Sequence, residues 1–581
     1  MKRSALVYTV LCLCMAPYGR SEGDGRRLRL HAVYVTTRDR PALPDYQGRV
    51  HRMMQDVQDF YRTEMARNGY GDMTFPLDLD AEGKTRVHLV TLGWDFDPKR
   101  RFTPGEIKPA IADAMKADGI DVERSYFVAF YNAYWQDGDV WRYDVVYTGS
   151  GNAQRGSVWV SDHELLDPVH FVPDGEGTIN DRGHRLTVGQ FNVKMIGGVA
   201  HELGHGLGLP HNKEQADERA MRGRALMGAG NYTYRQERIG KPTGSFLTRA
   251  HAFALSLHPL FTRTPFAAST EQAGEIRELR FDQADGALLV SGRIGPPEGT
   301  PGIVLYHDKL PTGVNKDYDA FSFVTRVRRD GTFAASVSQP GPGDYALHLV
   351  VYGADGMRRK LSFFHTITGE SKADLPALRR DWLWAQTQAA FARKDAGELE
   401  SLCRKVEELS PDRLSQARRF LEIARRWETF AVPGAIPDDV ASIGLSNTRW
   451  DTASVGWFVP SFDGVLVPDG TSCEPLRSSS GEVQQGLYAH ADACYAYDLG
   501  GRWQMLETQY GLQAEHDGSV VFVVTGDGRE LFRSALIRLS DGPQSVTLDI
   551  SGIRRLELIT EPGHDGKARD WGIWFEPTLK R

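Results

Sequence analysis

The chain has 581 residues, a length that predicts several domains because one hydrophobic core rarely extends beyond about 250–300 residues. With 41% hydrophobic and 25% charged residues, the composition is typical of an ordinary globular protein. The net charge of -7 is small and gives no basic face, which argues against nucleic acid or an anionic membrane surface as a partner.

The N-terminus has the pattern of an export signal. Two basic residues precede the run SALVYTVLCLCMA, which is long enough for a signal-peptide core and too short to span a bilayer. We therefore predict a signal peptide at residues 1–22 and a secreted or extracytoplasmic protein without a transmembrane span. Leucines precede Cys12 and Cys14 where a lipid-anchor site usually has a small residue, so we expect no lipid anchor.

Residues 27–262 alternate between strand-like runs and helical spacing, which predicts an α/β domain. LRLHAVYVTT, RVHLVTL and SYFVAFYN are strand-like, and residues 46–70 have helical spacing that ends at Asn68-Gly69. GSVWVSD at 156–162 alternates as an edge strand would. Residues 163–185 are rich in Asp, Gly and His and are expected to form a loop before the helix VGQFNVKMIGGVAHELGHGLG.

The remaining chain changes character three times. Residues 275–368 contain short β-runs separated by turns, with Asp330-Gly331 as a hairpin signal, and this favours a small immunoglobulin-like β-sandwich. Residues 375–430 have helical periodicity and are expected to form a spacer, with a partner-binding helix as the alternative. Residues 440–579 are β-rich again. The overall prediction is a multidomain protein of an α/β domain, two β-sandwiches and a helical segment.

Three cysteines follow the predicted signal peptide. Cys473 and Cys494 form a plausible disulfide in an exported protein, and two buried thiols are the alternative. Cys403 lies in a helical pattern and is expected to be a core residue.

The stretch VAHELGHGLGLPHN at 199–212 carries the strongest functional signal. His201 and His205 are four residues apart, so they project from one face of a helix and can ligate a single ion. Neutral imidazoles suit zinc, which commonly has three protein ligands in catalytic sites. Glu202 is offset by about 100° around the helix. It is therefore placed to act as the general base that takes a proton from the attacking water.

The third ligand, His211, cannot lie on the same helical face, because it is six residues beyond His205. The chain must turn first, and Gly208 can adopt the left-handed conformation that such a turn requires. Pro210 then prevents the helix from resuming. We predict that His211 returns to the ion bound by the helix.

HELGHGLGLPH resembles the signature of the metzincin clan of zinc peptidases at every fixed position. The resemblance implies a two-lobed catalytic domain, an upper edge strand that pairs with a peptide substrate, and a Met-turn beneath the metal. Met227 in RALMGAGNYTY is the better Met-turn candidate and Met221 the weaker one. Position 229, where some members carry a tyrosine, is alanine, so the resemblance does not extend that tyrosine's role to Tyr232 or Tyr234.

Histidines and aspartates crowd the loop before the helix, so a second zinc or a calcium ion is conceivable there. No spacing among them is diagnostic of a metal site, and a solvated polar loop is favoured. These residues are Asp162, His163, Asp167, His170, Asp174, Asp181 and His184. The expected cofactor is one catalytic zinc.

Residues 440–578 resemble the NPCBM module, a carbohydrate-binding domain, in the stretches ASVGW, GLYAHADACYAYDLGG, VVFVVTGDGRELFRS and DWGIWFEPTL. The resemblance implies a jelly-roll β-sandwich that binds a glycan and has no catalytic role. Sugars stack on aromatic faces beside a few polar groups. The candidates are Trp457, Trp571, Trp574, His490 and Asp570, none of which the sequence assigns firmly.

These observations predict a secreted zinc metalloendopeptidase that hydrolyses proteins or glycoproteins and is targeted by a carbohydrate-binding module. Two alternatives remain. One is a zinc amidohydrolase that acts on a non-peptide amide. The other is a glycan-binding surface protein with a vestigial peptidase domain, although the intact Glu202 argues against decay.

Overall fold

The structure is a computed structural model. It describes residues 28–581 except 101–102, 144–146, 174–176, 265–272, 297–298, 311–317, 319, 339–340, 430–435, 438, 467–472, 484 and 564–565. The predicted signal peptide, Cys12, Cys14 and Asp174 lie outside the described residues. The described chain forms two compact units, one ending at Arg379 and the other comprising Arg380–Arg581. No helix in the described part is both long and apolar enough to cross a membrane.

The first unit begins with an α/β region, as predicted. Its strands are β1 (Leu30–Thr36), β2 (Val87–Thr91), β3 (Tyr126–Tyr131), β4 (Tyr134–Asp137), β5 (Val140–Tyr143), β6 (Thr148–Gly151), β7 (Gly156–Ser161), β8 (Thr178–Asp181), β9 (His184–Thr187), β10 (Gly223–Ala225) and β11 (Gly244–Phe246). Its helices are α1 (Tyr46–Arg67), α2 (Pro104–Ala117), α3 (Val188–Gly206), α4 (Ala216–Arg222), α5 (Arg249–Ser256) and α6 (Pro259–Thr262).

The main sheet has the strand order β2-β1-β3-β7-β6, in which only β6 runs antiparallel to its neighbour. Alternate residues of β1 face opposite sides of this sheet. Ala32 and Tyr34 pack into a core that includes α1 and α3, whereas Val33 and Val35 pack against α2. Helices therefore cover both faces, which explains why the central strands β1 and β3 are almost continuously apolar.

Two local predictions about this region are wrong. The segment 156–162 is not an edge strand, because β7 lies between β3 and β6, and β6 occupies the end of the sheet. The predicted loop 163–185 contains most of the hairpin β8–β9, which extends the sheet β4-β5-β8-β9. The sequence does not indicate the hairpin, because its strands are short and polar. In the fold β8 pairs with β5 at Asp181 and buries Ile179 in the core that includes α3.

Helix α3 begins where local sequence dictates. The hydroxyl of Thr187 accepts a hydrogen bond from the backbone N–H of Gln190, and the side chain of Gln190 reaches back to the backbone N–H of Thr187. This capping box satisfies two of the N–H groups that a helix start leaves unpaired. The helix then continues to Gly206 and includes the first two predicted ligands, as the periodicity predicts.

The next strands of the first unit form antiparallel sheets ordered β12-β13-β16 and β15-β14-β17-β18. They are β12 (Glu275–Ala284), β13 (Ala287–Gly295), β14 (Gly302–Lys309), β15 (Phe321–Arg326), β16 (Thr332–Ser338), β17 (Gly343–Tyr352) and β18 (Arg358–Ile367). A small β-sandwich was predicted here. Asp330-Gly331 does form a turn, but it joins strands of different sheets, so the hairpin prediction is wrong.

The described residues between the two sandwiches include the helices α7 (Leu375–Ala392), α8 (Ala396–Leu409) and α9 (Leu414–Thr429). In the second unit, Phe391, Leu399 and Phe420 share one buried core with the sheet residues Phe462 and Trp574. The helices from residue 380 onward are therefore part of the second unit, which differs from the separate spacer that we predicted.

In its described residues, the second unit continues as two antiparallel six-stranded sheets and two short strand pairs. Its strands are β19 (Ser442–Gly444), β20 (Thr452–Ser454), β21 (Ser461–Phe462), β22 (Val465–Leu466), β23 (Cys473–Glu474), β24 (Arg477–Ser478), β25 (Gly481–Glu482), β26 (Gly486–His490), β27 (Ala493–Asp498), β28 (Met505–Leu512), β29 (Ser519–Gly526), β30 (Arg529–Arg533), β31 (Ile537–Arg538), β32 (Gln544–Asp549), β33 (Arg555–Pro562) and β34 (Trp571–Lys580). Cys473 and Cys494 are not bonded to each other, and Cys403 is also a free thiol.

Candidate metal centre and carbohydrate surface

The three histidines of the motif come together. One ring nitrogen from each of His201, His205 and His211 lies within 4.8 Å of the others. Gly208 adopts a φ of 80°, which turns the chain after α3 and brings the third ring back to the helix. The Nε2 atoms of His205 and His211 are 3.0 Å apart. This is close to the separation of about 3.3 Å expected of two nitrogens ~2.0 Å from one tetrahedral zinc ion.

Backbone carbonyls orient two of the rings. Nδ1 of His201 donates to the carbonyl oxygen of Leu226 at 2.7 Å, and Nδ1 of His205 donates to that of Leu209 at 2.8 Å. Each bond places the ring proton on Nδ1, so Nε2 is the nitrogen that can ligate a metal ion. Burial lowers the pKa of His201 to about 4 and of His211 to about 3, so both rings are neutral near pH 7. Three neutral imidazoles with converging nitrogens fit a zinc ion.

Glu202 lies beside these ligands on α3, under strand β6. Burial raises its pKa to about 7, and the backbone N–H of Gly149 lowers it in part. A Cβ atom at Gly149 would lie 1.9 Å from the carbonyl oxygen of Glu202. Strand β6 therefore lies so close to the helix that only glycine fits at this position. A carboxylate with such a pKa accepts and releases a proton near neutral pH, as a general base and acid must.

Met227, the better of the two Met-turn candidates, lies against helix α3. It is fully buried, and a Cβ atom at Gly204, between the two helical ligands, would lie 2.2 Å from its Sδ atom. Met221, by contrast, is 71% exposed. Tyr232 is 61% exposed, and the hydroxyl of the buried Tyr234 donates to Asp56, so Tyr234 does not face the histidines.

Residues from the region of strands β12–β18 also contact the histidine motif and the residues that follow it. The sequence did not indicate these contacts. The ring of Tyr318 stacks on His211 with centroids 3.8 Å apart. The backbone N–H of Lys213 donates to Ala320 at 2.7 Å, and Arg358 donates to the carbonyl oxygen of Gly208. No local pattern marks these residues, because their contribution depends on how the sandwich packs on the loop after α3.

The polar loop before α3 does not assemble a further metal site among its described residues. Its aspartates are neutralised by basic side chains instead. The pairs are Asp162 with Arg49, Asp167 with Arg52, and Asp181 with Lys194.

In the second unit, aromatic rings gather around Trp571. The ring of His516 stacks on Trp571 with centroids 3.9 Å apart, and Phe458 meets its edge at 5.4 Å. Trp457 packs beside Phe458 and is 43% exposed. Trp574, in contrast, is completely buried in the core of the sheets.

Residues 441–580 match the family model of the NPCBM/NEW2 domain. This match confirms the resemblance that the sequence predicted for the C-terminal region. Within the NPCBM domain, Trp457 and Trp571 remain candidates for a sugar-binding surface, whereas Trp574 is a core residue. His490 and Asp570 are also largely buried, although the ring of His490 lies 6.3 Å from that of Trp571.

Two solved structures illustrate the likeness to known proteins. Catalytically inactive OgpA from Akkermansia muciniphila, in complex with an O-glycopeptide, is 24% identical; the match covers 60% of this chain and 96% of that one, with a TM-score of 0.49. A CBM51 from Clostridium perfringens GH95, in complex with methyl-galactose, is 26% identical to this chain. The match covers 24% of this chain and 99% of the CBM51 chain, with a TM-score of 0.22. With these low TM-scores, neither likeness assigns an activity to this chain. No curated protein matches the sequence.

Proposed function

We propose that this chain is a secreted zinc-dependent metalloendopeptidase that hydrolyses peptide bonds of proteins or glycoproteins. A metzincin-like catalytic domain at 27–262 and the NPCBM domain as its targeting module are parts of the proposal. The observation that carries it is the convergence of His201, His205 and His211, within 4.8 Å of one another, beside Glu202.

His201, His205 and His211 would hold the zinc ion through their Nε2 atoms. Bound there, zinc supplies Lewis acidity, which polarises the scissile carbonyl group and makes water more acidic. The carboxylate of Glu202 takes the proton from the attacking water and delivers it to the nitrogen of the leaving amine. Its pKa of about 7, raised by burial, suits both transfers.

Strand β6 provides a place for the substrate backbone. It pairs with β7 on one side and ends the described order of the main sheet on the other. Extended peptides commonly add to such an edge through backbone hydrogen bonds. Because Gly149 of β6 contacts the backbone of Glu202, a peptide on this edge would run past the general base. We therefore assign the edge strand that pairs with a substrate to Thr148–Gly151 and not to 156–162, the segment that the sequence predicted.

The NPCBM domain supports glycoproteins as the substrate class. An exposed aromatic ring such as Trp457 offers a face for a pyranose ring, and binding a glycan raises the local concentration of substrate near the catalytic unit.

The decisive experiment compares the full chain with its Glu202→Gln variant. We expect both proteins to bind zinc, and we expect the variant to lose about 10²–10⁴-fold in kcat/KM on unfolded protein and mucin substrates. Glu164→Gln, which replaces an exposed carboxylate of the same unit, serves as the matched control and should retain activity. Equal activity of wild type and Glu202→Gln would remove Glu202 from the mechanism.

The same assay separates the alternatives. A zinc amidohydrolase would cleave non-peptide amides and leave the peptide panel intact. A vestigial peptidase would show no chelator-sensitive cleavage of either class while still binding glycans. The proposal requires cleavage of peptide bonds that a chelator abolishes and added zinc restores.

A further inference from the structure

A second cluster of metal-binding side chains lies in the first unit. One ligand atom from each of His31, Asp78 and His88 lies within 4.8 Å of the other two. Nδ1 of His31 is 3.0 Å from Oδ2 of Asp78, and Nε2 of His88 is 3.7 Å from the same oxygen. The three side chains are only 11%, 10% and 6% exposed, respectively. The sequence did not indicate this cluster, because its members are far apart in the chain.

His88 presents an unusual nitrogen to the cluster. Its Nδ1 atom bonds the carboxylate of Asp118 at 2.9 Å, so the proton lies on Nδ1 and a neutral ring has its lone pair on Nε2. This Nε2 atom is buried and has no hydrogen-bond partner within the described residues. A buried lone pair that faces a carboxylate oxygen is unfavourable unless a proton or a metal ion lies between them.

The arrangement resembles metal sites in which a carboxylate orients a ligating histidine. Such a carboxylate accepts from one ring nitrogen and leaves the other for the metal, as Asp118 does for His88. The separations of 3.0 and 3.7 Å bracket the value of about 3.3 Å expected for ligands of one tetrahedral zinc ion. Two imidazoles and a carboxylate without sulfur are a donor set that zinc commonly takes.

Two arginines also approach Asp78. Arg29 donates to Oδ1 at 3.3 Å, which leaves Oδ2 for the metal. Nε of Arg86 is 4.0 Å from Oδ2, but this side chain is 51% exposed and can turn towards solvent.

The cluster is separate from the centre on α3. His31 lies on the same face of β1 as Val33 and Val35, which pack against α2. His88 pairs in register with Val33 on the neighbouring strand β2. Helix α3 covers the opposite face of this sheet, so the two clusters cannot share an ion.

We propose that His31, Asp78 and His88 bind a second zinc ion, which has a structural role. The ion would link β1 to β2, the terminal strand in the described order of the sheet, and to the segment at Asp78 that precedes it. Metal ligands drawn from separate segments stabilise the folded chain, because the unfolded chain lacks the preformed site.

The test measures zinc stoichiometry in the full-length protein after chelator treatment, reloading with zinc sulfate and removal of free metal. We expect two equivalents in wild type and one in His88→Gln. His51→Gln is the matched control, because His51 bonds Thr85 nearby and is not a ligand, and it should retain two. His205→Gln should lose the other ion together with activity, so failure of this proposal is distinguishable from failure of the catalytic one.

A second measurement does not depend on any variant. In crystals of the zinc-loaded wild type, anomalous scattering at the zinc edge should give a peak between His31, Asp78 and His88. Absence of that peak, or equal zinc content in His88→Gln and wild type, would overturn the proposal. Binding of one equivalent by wild type and none by His205→Gln would overturn it as well.

Discussion

The ring of Tyr318 stacks on the imidazole of His211, with ring centroids 3.8 Å apart and an interplanar angle of 26°. The tyrosine comes from the segment before β15 of the sandwich, whereas the histidine is the third predicted zinc ligand. The candidate metal centre is therefore completed by residues beyond the α/β region.

Replacing Tyr318 with alanine should weaken zinc binding, because the stacked ring holds His211 in its ligating orientation. Loss of a group that supports a ligand commonly lowers metal affinity about 10–100-fold. Tyr318→Phe retains the ring and should retain the affinity. Competition with a chromophoric chelator measures the effect, and Tyr232→Ala, which removes an exposed tyrosine, is the control. Equal zinc affinity in Tyr318→Ala and wild type would contradict the supporting role.

Gly208→Ala should destabilise the first unit and displace His211. The substitution forces a residue with a Cβ atom to a φ of 80°, at a cost of about 1–2 kcal/mol, and places that atom 3.1 Å from the carbonyl oxygen of Gly151. Gly183→Ala is the matched control, because its φ is 90° and its Cβ atom would contact nothing. Denaturant unfolding should show losses in both variants. Zinc affinity should fall only in Gly208→Ala; a similar fall in both would contradict a specific role for the turn.

Gly149→Ala should reduce activity by about 100-fold in kcat/KM, since displacement by ~1 Å near the reacting groups has effects of this size. Its Cβ atom would lie 1.9 Å from the carbonyl oxygen of Glu202, so β6 must move away from α3. Ser150→Ala changes the exposed neighbour on the same strand and should leave activity unchanged. Steady-state kinetics on one peptide substrate compares the two variants, and full activity in Gly149→Ala would argue against β6 as the substrate edge.

Acid should destabilise the first unit between about pH 6.5 and pH 4, because buried histidines there remain neutral when folded. Burial lowers the pKa of His258 to about 4, whereas the unfolded chain takes up the proton near pH 6.5. Stability is therefore complete above pH 6.5 and falls by about 1.4 kcal/mol per pH unit for each such residue as pH decreases.

His258→Asn should make this pH dependence shallower, since one titrating group is removed. Urea unfolding of the full chain at a series of pH values measures the slope for the first unit. His184→Asn replaces an exposed histidine and is expected to leave the slope unchanged. An identical slope in His258→Asn and wild type would show that His258 does not contribute.

Trp457→Ala should weaken glycan binding by the NPCBM domain without changing its thermal stability. The side chain is 43% exposed, and loss of an aromatic face of this kind costs about tenfold in affinity. Met505→Ala, at an exposed position of the same unit, is the control. Retention on immobilised mucin gives the measurement. Unchanged retention of Trp457→Ala would move the sugar-binding surface elsewhere in the domain.

Much of the fold was predictable because the deciding signals are local. Helical periodicity places His201 and His205 on one face of α3, and a capping box at Thr187 defines where that helix begins. The predicted strands β1 and β3 follow from apolar runs that are buried on both faces of the sheet, and β2 follows from a run whose residues alternate between buried and more exposed positions. The C-terminal stretches were sufficient to predict the NPCBM domain.

Long-range packing decided the rest. No sequence spacing identifies β6 as the terminal strand, because strand order depends on which segments pair after the chain collapses. Tyr318, which reaches His211, and the cluster of His31, Asp78 and His88 are assembled from residues that local periodicity cannot relate. The amino-acid sequence by itself determined the helix, the turn and the ligand types of the candidate zinc centre. Only the tertiary structure decided what surrounds that centre, because contacts between distant segments depend on the packing of whole sheets.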